Sequence, residues 1–136
     1  MDKATKHPAP PMTPESAPYW KAASKGELLI GWCEDCKKPH HAPQGVCPFC
    51  WSSKTRAKPA SGRGKVNSFT VIHQTAMPDF VGLVPFVVAY VELEEGVSLV
   101  SNIVECEWSK VRIDMPVVAT FETVAENVGI PLFKPA

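Results

Sequence analysis

The chain has 136 residues, 45% of them apolar, which suits one ordinary domain or two small ones sharing a core and is too hydrophobic for a disordered chain. Formal net charge is zero, yet residues 1–65 carry +6 and residues 66–136 carry −6, so the two halves are expected to do different jobs. The longest apolar run, residues 86–91, falls far short of the ~18 residues of a membrane span. With no apolar signal segment at the N-terminus, a cytoplasmic protein is expected.

Fourteen prolines forbid long helices and favour short strands and loops. Residues 1–14, with Pro8, Pro10, Pro11 and Pro14, read as a flexible tail. A short helix is expected over 15–26, with Pro18 in its first turn and Gly26 at its left-handed stop. Tyr19 and Trp20 are its large apolar side chains, and so short a helix must dock on something. Residues 28–30 form a strand leading into a cysteine segment, the whole of 27–58 making one unit. Residues 54–65, with five cations, no acid, and Gly62 and Gly64, read as a linker.

From residue 65 onward the pattern is all β. Strands are expected at 65–74, 86–93, 97–104, 117–125 and near 130–133. Glu94-Glu95-Gly96 closes a hairpin, and loops fall at 75–84 and 105–110. Five such strands suit a small closed barrel with every edge paired.

Cys33-x-x-Cys36 and Cys47-x-x-Cys50, ten residues apart, form the most specific motif. Each pair folds as a knuckle with both sulfurs facing one point, and two knuckles supply four tetrahedral ligands. A structural zinc ribbon is the first reading. Iron of the same geometry, redox dithiols and free thiols use the same residues. His40 and His41 are expected as surface residues of the intervening hairpin. Cys106 and His73 are the remaining reactive types, and nothing in the sequence joins them into a nucleophile and base. No phosphate loop, nucleophile elbow, zinc-protease helix or carboxylate pair is found, so no catalytic residue is assigned.

Ribbons and five-stranded barrels are frequent in nucleic-acid binders, and the cations at 54–65 fit that use. The acidic barrel half and an isoelectric point near 6.9 oppose it. A protein-interaction module is the other reading, with the aromatics around the helix and ribbon as anchors.

The order of motifs then carries a family resemblance. Tyr19-Trp20, Gly26-Glu27-Leu28, the two cysteine pairs and Pro43 come first. Ser61-Gly62-Arg63-Gly64-Lys65-Val66, Ser68-Phe69-Thr70-Val71, Pro85-Phe86-Val87-Val88-Ala89 and Val111-Arg112-Ile113-Asp114-Met115-Pro116-Val117 follow. Residues 15–135 resemble the acyl-CoA-associated family with a rubredoxin-like zinc ribbon and an OB-fold, formerly a domain of unknown function. The resemblance implies a mainly β chain: a short N-terminal helix, a four-cysteine zinc ribbon to residue 58, and a five-stranded OB-fold barrel over 59–136. It implies structural zinc on Cys33, Cys36, Cys47 and Cys50. It also implies a non-catalytic subunit in a hetero-oligomer with a thiolase-like enzyme, near whose CoA-ester site it packs. Arg63, Lys65, Met77 and Phe80 are the candidate ligand contacts. Tyr19, Trp20, Phe80 and Leu83 are the candidate partner contacts. A nucleic-acid or other interaction module of the same fold is the alternative.

Overall fold

A computed structural model describes residues 7–136. The chain starts with one helix, α1 (Ala17–Ser24). Pro18 sits in its first turn, and Gly26 at φ +82° closes it. The Glu27 N–H reaches the Ala22 carbonyl and the Gly26 N–H the Ala23 carbonyl, which satisfies the helix's last acceptors. Tyr19 and Ala23 are its buried residues. The helix docks against the barrel, and a Cβ on Gly129 would come within 2.5 Å of the Ser24 nitrogen. Only glycine lets this strand and the helix backbone approach so closely.

β1 (Leu29–Cys33) is the centre of a three-stranded antiparallel sheet, flanked by β2 (Pro39–His40) and β3 (Thr55–Pro59). β3 overturns the expectation of a linker over 54–65. Its residues pair fully with β1, Leu29 to Pro59 through Cys33 to Thr55. Of its two cations, Arg56 is exposed and pairs with Glu34, and Lys58 lies half-buried over the Trp32 ring.

The rest is a closed barrel in the order β4-β5-β6-β8-β7. Its strands are β4 (Arg63–Ile72), β5 (Phe86–Leu93), β6 (Ser98–Ile103), β7 (Pro116–Ala125) and β8 (Val128–Pro135). Val66, Val87, Val91, Val117 and Phe133 fill its interior and are among the most deeply buried side chains. Both expected loops hold a short 3-10 turn, at Pro78–Leu83 and Trp108–Lys110. β6 and β8 meet in parallel at Ile103 and Phe133 only. Pro131 lacks the N–H that would extend that ladder, and the Ser101 hydroxyl donates to the Pro131 carbonyl across the gap.

The tail expectation for 1–14 falls partly on residues 1–6, outside the described residues. His7 is tied to the barrel, its backbone N–H and ring Nδ1 meeting the Glu122 carboxylate at 3.0 and 2.7 Å. Among the described residues no helix is long and apolar enough to cross a membrane.

Candidate metal centre and neighbouring grooves

The two cysteine knuckles are near copies of one another. In the first, the Lys37 N–H bonds the Cys33 carbonyl at 3.0 Å and the Cys33 N–H the Lys38 carbonyl at 3.1 Å. In the second, the Trp51 N–H bonds the Cys47 carbonyl at 3.0 Å and the Cys47 N–H the Ser52 carbonyl at 2.9 Å. Lys37 and Trp51 both take the left-handed conformation, φ 58° and 67°, that lets the chain turn back after each pair. Amide N–H groups of Cys36 and Phe49 point at the Cys33 and Cys47 sulfurs, at 3.5 and 3.3 Å. Such donors stabilise thiolate charge.

The four Sγ atoms lie within 4.8 Å of one another. Cys33–Cys50 and Cys36–Cys47 are 3.6 Å apart. A tetrahedral zinc with bonds of ~2.3 Å places its sulfurs ~3.8 Å apart, so the donor set fits that ion with no rearrangement of the chain. Crowding also splits the thiols. Desolvation and the neighbouring thiols push Cys36 up to about 12. Desolvation would raise Cys47 too, but the Cys50 and Phe49 amides outweigh it and bring that thiol down to about 7. Four such groups cannot ionise together in so small a space without a cation among them.

The histidines between the knuckles are not surface residues. His40 is 2% exposed, with Nδ1 3.0 Å from the Ala42 carbonyl. It stacks into a space that only Gly31 leaves open, since a Cβ there would come within 2.7 Å of Nε2 and closer to Cε1 and Nδ1. His41 lies half-buried with Nε2 3.0 Å from the Tyr19 hydroxyl. Burial disfavours its cation and lowers its pKa. The same burial holds the Tyr19 phenol protonated, far above its usual range. Tyr19 therefore faces the chain's own interior at 6% exposure, and links the helix to the ribbon. Trp20 is half-buried beside it, against a cavity of about 410 Å³ lined also by Leu99, Ile130 and Leu132.

The four candidate ligand contacts fall into two pairs that the structure keeps apart. Arg63 and Lys65 open β4, in a groove of about 430 Å³ with Glu92 and Pro116. Glu94 holds the Arg63 guanidinium through Nε and Nη2, both at 3.0 Å. Each group shifts the other, Glu94 downward and Arg63 upward. Lys65 stands 3.8 Å from Asp114. Met77 and Phe80 lie beyond the other end of that ten-residue strand. With Ile72, Phe86, Val88 and Val100 they line an apolar groove of about 450 Å³. The Phe80 and Phe86 rings are 5.6 Å apart, and Met77 is 59% exposed. Leu83 turns to a fourth cavity, of about 520 Å³, at the barrel mouth with Cys106, Trp108, Phe121 and Glu122. His73 is exposed and packs edge-on to Trp108 at 4.9 Å, which brings it to the loop that carries Cys106. The Cys106 thiol contacts the neighbouring Glu107 carbonyl at 3.5 Å.

Residues 20–56 match the rubredoxin-like zinc ribbon domain of ChsH2, and residues 57–122 match the ChsH2 C-terminal OB-fold domain. A probable enoyl-CoA hydratase alpha subunit of Thermomonospora curvata is 37% identical over 95% of this chain, which spans 40% of that protein's length. The benzoylsuccinyl-CoA thiolase subunit BbsA of Thauera aromatica is 30% identical, over 83% of this chain and 77% of that one. Among solved structures, a chain of the Ltp2-ChsH2(DUF35) aldolase superposes with a TM-score of 0.80 at 36% identity, covering 93% of this chain and 98% of that chain.

Proposed function

We propose, from the premise that this chain belongs to the ChsH2 (DUF35) family of rubredoxin-like zinc-ribbon and OB-fold proteins, that it is an accessory subunit of an acyl-CoA-processing complex. Its partner in this reading is a thiolase-family enzyme, a thiolase or a thiolase-like aldolase, which carries the bond chemistry. The near full-length likeness to a chain of the Ltp2-ChsH2(DUF35) aldolase is the observation that supports it most.

Each part of the chain has a physical task in that role. Cys33, Cys36, Cys47 and Cys50 would hold zinc, which supplies a closed four-thiolate crosslink with no open position for substrate. The crosslink makes a stable unit of a ribbon too small to build its own core. Tyr19 and His41 then lock helix and ribbon together, and Gly129 seats the helix on the barrel. On that rigid frame the groove of Met77 and Phe80 is the apolar contact, taken by the partner or by the acyl group beside it. Leu83 and Trp20 flank it on neighbouring cavities. Arg63 and Lys65, each shared with a carboxylate, are the second contact, suited to the phosphates of a CoA tail.

Co-expression with a thiolase-type enzyme from the same genome tests the proposal. The expected result is a stable hetero-oligomer, with no thiolysis of acyl-CoA by the chain alone. Phe80→Ala is expected to weaken assembly or raise the partner's KM. Turnover by the purified chain, or failure of the two proteins to associate, would remove the accessory reading. Unchanged assembly and kinetics in the variant would remove the Phe80 groove from it.

A further inference from the structure

The second knuckle carries a surface that the grooves above do not use. Val46, Phe49 and Trp51 are 50, 57 and 83% exposed. Three large apolar side chains thus leave one short turn for solvent. Single exposed apolar residues are ordinary, but several on one rigid projection mark an interaction surface. The turn is rigid because Cys47 and Cys50 bracket it and backbone bonds from Cys47 to Trp51 and Ser52 close it on both sides. Trp51 is held in the left-handed region, where a bulky residue is disfavoured. The backbone there asks for glycine or asparagine, and the chain places its most exposed large apolar side chain instead.

Charge indicates what this prong meets. Residues 36–78 contain no aspartate or glutamate. Nearby, Lys37 and Arg56 are engaged by Glu34, and Lys54 by Asp35. Lys38 is different. Among the described residues it has no carboxylate within ion-pair distance, and its ammonium lies 5.4 Å from the centre of the Phe49 ring. The prong therefore offers an apolar tip with one unneutralised cation at its side. That combination complements an apolar protein pocket with a carboxylate on its rim. A nucleic acid is a poorer complement, because Lys37, Lys54 and Arg56 are already paired, Lys58 lies over the Trp32 ring, and the barrel half carries −6.

We infer that the second cysteine knuckle is a protein-docking prong, on which Trp51 and Phe49 fill an apolar pocket of the partner enzyme subunit while Lys38 meets a carboxylate at its edge. The inference rests on the accessory-subunit reading and adds to it a contact surface separate from the Phe80 groove. The test uses the zinc-loaded full chain and the thiolase-type enzyme co-expressed with it. Trp51→Asn keeps a residue that accepts the left-handed backbone and removes the indole. It should retain wild-type zinc content and weaken the complex roughly thirtyfold, the loss expected of a central aromatic anchor. Lys38→Glu should slow association several-fold at low salt, with a smaller difference at high salt. Amide hydrogen exchange over residues 46–52 should fall on complex formation. Wild-type affinity for both variants, with exchange there unchanged, would overturn this inference and leave the accessory role standing. Absence of any complex would overturn both. If fluorescein-labelled oligothymidine bound the wild-type chain at cellular ionic strength and Trp51→Asn abolished that binding, the prong would be a nucleic-acid contact and the protein-docking inference would fall.

Discussion

Replacing Gly31 by alanine should be far more damaging than one methyl group suggests. The new Cβ would sit 2.7 Å from His40 Nε2 and nearer still to Cε1 and Nδ1, so the ring must move by roughly 1.5 Å to reach ordinary contact. His40 is 2% exposed, enclosed by the chain on all sides. Forcing extra volume into such a site costs about 1–3 kcal/mol. Displacing the ring also breaks the bond between Nδ1 and the Ala42 carbonyl, worth about 1 kcal/mol. A loss near 3 kcal/mol should lower the Tm of the zinc-loaded chain by about 10 °C in a calorimetric scan. The partner substitution supplies the control. His40→Ala alone is destabilising, since it empties the site, but Gly31→Ala added to it should be nearly neutral, because the new methyl enters the vacated space. The cycle should therefore show a coupling of about 3 kcal/mol, the whole cost of the single change. If Gly31→Ala stayed within about 0.5 kcal/mol of wild type, or if the two effects simply added, the packing argument would be wrong.

Cys33→Ser should drop the zinc content to background and unfold the ribbon while the barrel strands persist, because metal binding and folding of so small a unit are coupled. Elemental analysis with amide exchange decides it, and wild-type zinc content in the variant would contradict the four-thiolate site. Acid stability should depend on His41. Its folded-state pKa is lowered below 6.5 by burial, so its contribution is complete above that value and is lost as pH falls through the lowered one. His41→Gln should therefore flatten the fall in Tm as the pH drops below 6.5, and equal slopes in the two proteins would refute this.

Much of the fold was legible because it depends on local patterns. Two cysteine pairs at knuckle spacing, a glycine after a short helix and alternating runs closed by turn residues each act within a few residues. Chain order alone therefore places the helix, the metal ligands and five barrel strands. What the sequence could not show depends on residues far apart in the chain. The strand at 55–59 has the composition of a connector, and only its register against 29–33 makes it part of a sheet. His40 reads as a surface residue until Gly31 is seen to open the space that buries it. Tyr19 is a candidate partner contact by sequence, and the fold buries it with His41 at its hydroxyl. Arg63 and Phe80 are both candidate ligand contacts by sequence, and only the fold shows that a full strand separates them. Spacing is a property of the backbone within a single turn and survives in the sequence. Burial is a property of whatever arrives from elsewhere, and the folded chain alone decides it.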